Sequence, residues 1–393
     1  MKWLPPENEL DREQRDFLDK IVSTQNNINI IGFPGSGKTV LLLYAVTRLR
    51  KKNNNIKILI VEYTYALINM LKAAIYDISK DSKYRGLHLE DIKIVSYFNF
   101  AIKHQTYDCI ICDEVQDMPT NVILLMKQRA KRVIVGGDPN QSIFEKDPYW
   151  GKAHCSIPEL DAILNPIKLE LTIVHKLTKK IASAISSFLP SMRTMPGQID
   201  MTQSNVDIRL WKSENERHEV VHLMDEAISK TNFNYSVGIL FPSHSGVIAF
   251  ANWALENAQK PTWIEKKNKY GKPDFKSLND HLANNGIPMQ YIANGYGDFN
   301  STDLITITTY HSSKGLSFNT VMLPFCNDSF MAATITPALF MVAMTRSIEN
   351  LFISYSSSTP FNYVRKFSAS CHFKDWSVVE NDNNDDTDIF KFV

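Results

Sequence analysis

Residues 32–39 have the types and spacing of a loop that binds phosphate. They read Gly-Phe-Pro-Gly-Ser-Gly-Lys-Thr, which fits the pattern G-x-x-x-x-G-K-[ST] at every fixed position. Apolar residues precede the loop and an apolar run follows it, which predicts strand, loop and helix. Backbone N–H groups and a helix start then face the phosphates, while Lys38 adds a charge and Thr39 offers a hydroxyl to Mg²⁺. The sequence therefore predicts binding of a nucleoside triphosphate with Mg²⁺.

Two adjacent carboxylates supply a metal partner for this loop. Asp113 and Glu114 directly follow the apolar run 107–112, which we expect to form a strand. Two neighbouring carboxylates at the carboxyl end of a strand are costly to bring together without a cation. We expect Asp113 to hold Mg²⁺ and Glu114 to activate the attacking water.

A third polar turn follows the apolar residues 132–135. Within it, the amide of Gln141 could contact the terminal phosphate. The turn taken alone is as consistent with a structural role as with a functional one. Its place after the two preceding elements favours the functional interpretation.

Cysteines do not indicate a metal or redox centre. Cys109 and Cys112 have the spacing of a ligand pair, but both lie in the run 107–112. Residues three apart on a strand point to opposite faces, so the two thiols cannot converge on one metal. The chain has 5 cysteines without framework spacing, which is typical of a reducing cytoplasm.

Composition limits the class of protein. A hydrophobic content of 44% and a charged content of 22% are ordinary for a globular chain. With a net charge of +1, the chain lacks the overall positive charge that would indicate binding to nucleic acid. No apolar run reaches the roughly 18 residues that a membrane helix needs, and the N-terminus does not resemble a secretory signal. We therefore expect a cytoplasmic protein without a membrane partner.

The order of apolar segments predicts an α/β fold with two domains and a tail. Strand and helix patterns alternate through residues 1–165, and a second alternating series occupies 166–375. Such alternation predicts parallel sheets covered by helices, with ligands at the carboxyl ends of the strands. The stretch 151–166 has little periodicity and is expected to connect the domains. The acidic tail, 376–393, is expected to be disordered and could dock on a partner.

Taken in order, these motifs resemble the UvrD/Rep/PcrA-like superfamily-one helicases. The form Asp-Glu-x-Gln-Asp at residues 113–117 is specific to that branch. Residues 309–318 are similar to its Thr-x-His-x-x-Lys-Gly-Leu-Glu-Phe motif, and residues 342–346 to its Val-Ala-Leu-Thr-Arg motif. The resemblance extends from Leu10 to about Tyr355. It implies two RecA-like P-loop NTPase lobes with an ATP cleft between them.

The resemblance implies a role for each matched residue. Gln14 contacts adenine, and Arg346 is an arginine finger that stabilises the terminal phosphate from the second lobe. The implied catalytic residues are Lys38, Asp113, Glu114, Gln141 and Arg346. The implied ATP contacts are Gln14, Gly35, Ser36, Gly37, Lys38, Thr39, His175, Lys176 and Gly315, with Thr39 and Asp113 on Mg²⁺. The implied nucleic-acid contacts are Tyr63, Thr64, Phe98, Phe144, Trp150, His311 and Lys314.

Departures from the family pattern suggest altered coupling. The family's Asn-Tyr-Arg-Ser is Val-His-Lys-Leu here, so His175 could still stack on adenine, while Lys176 lacks the bidentate fork of arginine. The Glu of Lys-Gly-Leu-Glu-Phe is Ser317, which weakens a ribose contact, and Lys146 aligns with a base-stacking aromatic. The two large insertions of full family members are missing. We therefore expect weak or partner-dependent duplex unwinding.

These observations predict an ATP-dependent translocase or helicase on single-stranded DNA. Its 3′-to-5′ polarity is implied by the resemblance alone. The alternative is an ATPase regulatory subunit that senses DNA and licenses a partner nuclease, in DNA repair or anti-phage defence. The small size and the acidic tail favour this alternative somewhat. The residues themselves do not distinguish DNA from RNA.

Overall fold

The described residues form two compact α/β units. The computed structural model of the chain describes residues 4–138, 142–143, 151, 153–175, 178–190, 206–232, 234–268, 271–293, 296–298, 301, 303–331 and 335–377. Among these, the first unit holds residues up to Ala182 together with Lys314–Ser317, and the second unit holds the rest. None of the helices in these ranges is both long enough and apolar enough to cross a membrane.

The first unit is built on a six-stranded parallel sheet with strand order β3-β2-β4-β5-β1-β6. Its strands are mostly short runs of Ile, Leu and Val, and all five residues of β2 are buried, as expected where helices cover both faces of a parallel sheet. The strands are β1 (Ile28–Gly32), β2 (Ile58–Glu62), β3 (Lys93–Ser96), β4 (Tyr107–Cys112), β5 (Ala130–Gly137) and β6 (Ile167–Leu171). The helices are α1 (Arg12–Ser23), α2 (Lys38–Lys52), α3 (Tyr65–Lys80), α4 (Tyr97–Ala101), α5 (Thr120–Arg129), α6 (Ile157–Leu164) and the start of α7 (Lys179–Phe188).

The end of the first unit differs from the sequence expectation. Strand β6 pairs in parallel with β1 from Ile28 to Gly32, so the first sheet continues beyond the boundary expected at residue 165. The stretch expected to be a connection contains α6, which packs against α5 and buries Leu160 and Leu164. A capping box at the start of α6 satisfies the backbone N–H groups of Ser156 and Glu159, each of which donates to the side chain of the other.

The second unit is built on a seven-stranded parallel sheet with strand order β13-β7-β12-β11-β8-β10-β9. Its core joins the inner faces of the helices to the sheet through rings such as Phe250, Phe325 and Phe352. The strands are β7 (Asp207–Lys212), β8 (Val237–Phe241), β9 (Met289–Tyr291), β10 (Ile305–Thr309), β11 (Phe318–Leu323), β12 (Ser347–Tyr355) and β13 (His372–Asp375). The helices are α8 (Glu216–Lys230), α9 (His244–Asn257), α10 (Phe275–Asn284), α11 (Asp328–Met331), α12 (Pro337–Met344) and α13 (Asn362–Arg365).

The described part of the second unit includes the first residues of the segment expected to be a tail. Trp376 donates its backbone N–H to the carbonyl of Lys212 at 2.7 Å, and its ring stacks on His222 with centroids 4.2 Å apart. The rest of that segment, from residue 378 onward, lies outside the described residues.

All five cysteines are among the described residues, and none of them forms a disulfide bond. Burial raises the pKa of Cys109 to about 12 and that of Cys155 to about 11, and it raises the pKa of Cys112 and Cys326 well above the ordinary value. Cys109 and Cys112 lie in β4, as the sequence predicts. Cys371 alone is partly exposed.

A buried carboxylate ties helix α8 to the seven-stranded sheet. Glu219 is fully buried, and its Oε1 accepts hydrogen bonds of 2.5 Å from the backbone N–H of Phe325 and from the hydroxyl of Ser354. Phe325 has a φ of 58°, so this hydrogen bond holds a left-handed backbone position two residues after the end of β11. Burial raises the pKa of Glu219 from 4.5 to about 7, although both hydrogen bonds lower it.

This carboxylate should make stability depend on pH. The unfolded side chain loses its proton near pH 4.5, whereas the folded one keeps it up to about pH 7. Its contribution is therefore fully present below pH 4.5 and is lost as the pH rises through about 7, at a cost of about 3 kcal/mol. Glu219→Gln removes this titration and should flatten that part of the curve. Urea unfolding of both proteins from pH 4.5 to 8 measures the difference, and parallel curves would contradict the assignment.

Candidate functional site

The phosphate-binding loop, residues 32–39, joins β1 to α2 in the first unit. Gly37 has a φ of 92° and is the N-cap of α2, a conformation that glycine adopts without strain. A Cβ added at Gly37 would lie 2.5 Å from Nε2 of Gln14, so a side chain there would displace the Gln14 amide. Gly35, with a φ of 77°, is the second left-handed position of the loop. The loop is thus shaped by Gly37, which the sequence pattern specifies, and by Gly35, which stands at a variable position of that pattern.

Lys38 is folded over this loop. Its Nζ donates hydrogen bonds to the carbonyls of Gly32 at 2.7 Å and Phe33 at 3.1 Å, and the residue is 6% exposed. The ammonium therefore lies at the start of α2, where the helix end also favours a negative charge. Lys38 is thus held at the loop that the sequence predicts to bind a triphosphate, and its contact with phosphate stays a prediction.

The two predicted Mg²⁺ ligands are in direct contact. The hydroxyl of Thr39 donates a hydrogen bond to Oδ2 of Asp113, at the end of β4. Burial and the neighbouring carboxylate of Glu114 raise the pKa of Asp113 to about 6. A hydroxyl and a buried carboxylate are oxygen donors that suit Mg²⁺, so these residues fit the predicted metal.

Glu114 has a backbone conformation that is uncommon for a non-glycine residue. Its φ is 50°, in the left-handed region, and its N–H donates to Oδ1 of Asp113 at 2.9 Å. Such conformations cost roughly 1–3 kcal/mol and are concentrated at functional sites. The turn places Glu114 next to the predicted metal ligand.

Gln116 is a residue of the site to which the sequence analysis gave no role. It is 4% exposed; its Nε2 donates to Oε2 of Glu114 at 2.5 Å, and its Oε1 accepts the backbone N–H of Asp138 at 3.1 Å. The amide thus connects the ends of β4 and β5. The fixed Gln of the Asp-Glu-x-Gln-Asp motif was the signal that could have identified it.

Glu62 is a second buried group that the sequence analysis passed over. It ends β2, is fully buried, and accepts the backbone N–H of Asp113 at 3.3 Å. Burial, and then the charge of Asp113, raise its pKa well above 4.5. A carboxylate at the end of the otherwise apolar strand 58–62 was the available signal.

Lys314, which the resemblance implies as a nucleic-acid contact, is buried in the first unit. It is 1% exposed, and its Nζ lies 2.5 Å from Oδ2 of Asp117 and 3.5 Å from Oε2 of Glu114. Burial alone would lower the pKa of Lys314, but the charges of Asp117 and Glu114 raise it above its ordinary value. The ammonium thus neutralises two buried acids of the first unit, and its contact with nucleic acid stays a prediction.

Gln14, on α1, and His175, after β6, are the predicted adenine contacts among the described residues, and both bond to the backbone of the phosphate-binding loop. Oε1 of Gln14 accepts the N–H of Asp11 at 3.2 Å, and its Nε2 donates to the carbonyl of Ser36 at 3.3 Å. His175 donates its backbone N–H to Gly35 at 2.9 Å, and its Nε2 lies 2.7 Å from Oδ2 of Asp11. Gln14 and His175 are thus brought together with the loop, although the Gln14 amide bonds the loop's own backbone.

The side chains that are predicted to contact nucleic acid differ in their exposure to solvent. Tyr63 is half-buried and stacks on Tyr97, with centroids 4.9 Å apart. Thr64 caps α3 by accepting the N–H of Leu67 at 3.2 Å. Phe98 is 38% exposed, and it is the one of these side chains that offers a large apolar surface to solvent. The predicted residues outside the described ranges are Gln141, Phe144, Trp150 and Lys176.

The remaining predicted residues belong to the motifs of the second half of the chain. Arg346, in the second unit and 7% exposed, donates from Nε to the carbonyl of Val342 and from Nη2 to Oγ1 of Thr345, both at 2.9 Å. His311 is half-buried in the second unit. Gly315, with a φ of 84°, is grouped with Lys314 in the first unit.

Two family models match the chain. An AAA domain matches residues 14–146, which include the phosphate-binding loop and the acidic pair. A UvrD-like helicase C-terminal domain matches residues 276–358, which include Arg346. No curated protein sequence matches the chain significantly.

The chain is similar to several solved helicase structures at low sequence identity. The PRRSV helicase is 13% identical with a TM-score of 0.44, and the match covers 87% of this chain and 54% of that one. Arterivirus nonstructural protein 10, a helicase, is 15% identical with a TM-score of 0.42, and the match covers 89% of this chain and 63% of that one. Its complex with DNA is 16% identical with a TM-score of 0.42, covering 88% and 64%. The chain thus spans less than two thirds of the length of each.

Proposed function

We propose that this chain, which belongs to the UvrD-like superfamily-one helicases, hydrolyses ATP to move along single-stranded DNA. The observation that carries the proposal is the hydrogen bond from the Thr39 hydroxyl to Asp113. It brings the end of β4, with Asp113 and Glu114, to the phosphate-binding loop. The match to the helicase C-terminal domain supports nucleic acid as the substrate that stimulates hydrolysis.

Each group of the first unit has a defined part in the proposed reaction. Lys38 and the N–H groups of the loop bind the phosphates, and Thr39 and Asp113 hold Mg²⁺, which would neutralise charge on the phosphate oxygens. Glu114 orients water and accepts its proton. The buried surroundings of Asp113 and Glu114 strengthen these electrostatic contacts.

The family resemblance supports a part for the second unit as well. Arg346 would stabilise the charge on the transferring phosphate, as an arginine finger does. Hydrolysis would then require both units, and a cycle of nucleotide binding and release would alternate their arrangement. In this proposal the 3′-to-5′ polarity follows the family.

Contacts to the DNA strand would combine stacking of aromatic rings on bases with attraction of cationic side chains to phosphates. Phe98 is exposed at the start of α4 and could stack on a base, an interaction worth roughly 1–3 kcal/mol. Thr64 and His311 lie in the motifs that contact the strand in the family. Tyr63, which stacks on Tyr97, would contact the DNA strand with the edge of its ring.

A second candidate is an ATPase regulatory subunit that senses DNA and licenses a partner nuclease. The compact connections of the first unit favour it, because β2 and β4 are joined through α3, β3 and α4 without a further domain between them. Such a subunit would hydrolyse ATP as a switch and would not step along the strand.

ATP hydrolysis measured with single-stranded DNA, duplex DNA and RNA, each over a salt series, tests the proposal. Single-stranded DNA should give the largest stimulation, which should weaken with salt because contacts to phosphates release counterions. Release of a labelled strand end should then show a delay that grows with strand length. Stimulated hydrolysis without that dependence would favour the switch, and hydrolysis unaffected by any nucleic acid would overturn both candidates.

A further inference from the structure

Gln116 connects the proposed general base to the neighbouring strand. Its Nε2 donates to Oε2 of Glu114 at 2.5 Å, and its Oε1 accepts the backbone N–H of Asp138 at 3.1 Å. Both ends of one amide are therefore used, one on a side chain after β4 and the other on the backbone after β5. Gln116 is 4% exposed, so water does not compete strongly for either contact.

The surrounding backbone is fitted to this amide. A Cβ added at Gly137 would lie 2.6 Å from Oε1 of Gln116 and 2.8 Å from Cγ1 of Val115. Gly137 ends β5 and precedes Asp138, so a side chain there would displace the amide. The close approach of β5 to Gln116 thus depends on glycine at this position.

The neutral amide of Gln116 is a suitable donor for Oε2 of Glu114, the proposed general base. Lys314 lies 3.5 Å from the same Oε2 of Glu114 but is held more closely, at 2.5 Å, by Asp117. An amide N–H fixes the direction of the Glu114 carboxylate and cannot transfer a proton to it at ordinary pH. Glu114 therefore keeps its capacity to accept a proton while its side chain is held in place.

We propose that Gln116 is a positioning residue for hydrolysis. It holds the Glu114 carboxylate at a fixed position relative to the end of β5, through its hydrogen bond to the backbone of Asp138. This inference rests on the proposed function. Gln116 itself does not touch substrate. Its effect is on turnover, because a base displaced by about 1 Å can lose roughly 10²-fold in rate.

Two substitutions separate the contacts of the amide. Gln116→Met keeps the approximate volume and removes both hydrogen bonds. Gln116→Glu keeps an acceptor for Asp138 but removes the Nε2 donor that faces Glu114. We expect both variants to lower kcat by roughly 10- to 100-fold with the KM for ATP and the binding of a fluorescent ATP analogue unchanged. The exposed Gln128, on α5, supplies the control Gln128→Met, which should leave kcat unchanged.

A double-variant cycle with Glu114→Gln distinguishes positioning from general support of the fold. If Gln116 acts through Glu114, then Gln116→Met should cause little further loss in the Glu114→Gln background. Losses that multiply would overturn the inference, and so would normal kcat in both Gln116 variants. If wild type itself does not hydrolyse ATP, the proposed function fails. If wild type is active and Glu114→Gln is not, normal kcat in both Gln116 variants refutes this inference and leaves the proposed function standing. The thermal midpoint of each variant reports whether it folds.

Discussion

Glu114→Gln should lower strand-stimulated ATP turnover by about 10³-fold and leave nucleotide binding intact. The substitution keeps the shape of the side chain but removes the group that would accept the proton of the attacking water. Steady-state phosphate release and titration with a fluorescent ATP analogue measure the two quantities separately. Lys38, Thr39 and Asp113, which would bind the phosphates and Mg²⁺, are unchanged.

Glu90→Gln is the matched control for this prediction. Glu90 is an exposed residue of the first unit, in the short turn Leu89–Asp91, away from the phosphate-binding loop in sequence. We expect its turnover to equal that of wild type. Normal turnover in Glu114→Gln would show that another group activates water, and the assignment of the base would then be wrong.

Arg346→Ala should also reduce turnover by about 10³-fold while sparing nucleotide binding. A guanidinium that meets the transferring phosphate contributes to the transition state and much less to the bound ground state. Arg346→Lys keeps the charge but loses the planar fork, so we expect an intermediate rate. Phosphate release and analogue binding, measured as for Glu114, test this expectation.

Local structure complicates this second substitution, so it needs its own control. Arg346 hydrogen-bonds Val342 and Thr345 at the end of α12, and its removal could loosen that turn. Arg365→Ala removes an arginine of the same unit that is paired at the surface with Asp328. Normal hydrolysis in a folded Arg346→Ala would rule out the finger, whereas a loss of thermal stability far beyond that of Arg365→Ala would indicate a structural role.

Patterns carried by neighbouring residues were predictable from the sequence. The loop at residues 32–39 and the strand Tyr107–Cys112 are determined by local spacing and apolar periodicity, and the strand has the bounds that were expected. The contact of Thr39 with Asp113 also followed, because the carboxyl ends of parallel strands meet at one edge of the sheet.

Features that depend on distant partners were not predictable. Lys314 pairs with Asp117, 197 positions away, and no local pattern signals that its ammonium is buried. Strand β6 is a five-residue strand with alternate residues exposed, so it gave a weaker signal than the buried strands of the same sheet. Helix α6 was missed although Ser156 and Glu159 form a capping box, because eight residues give little periodicity.

The distribution of thiols has a practical consequence for following this protein in solution. Four cysteines are enclosed in the cores, and each has a raised pKa that keeps it in the unreactive protonated form. Cys371, next to the edge strand β13, is the one that a maleimide can reach. The natural chain therefore accepts a single dye at a defined position of the second unit, without any engineered cysteine.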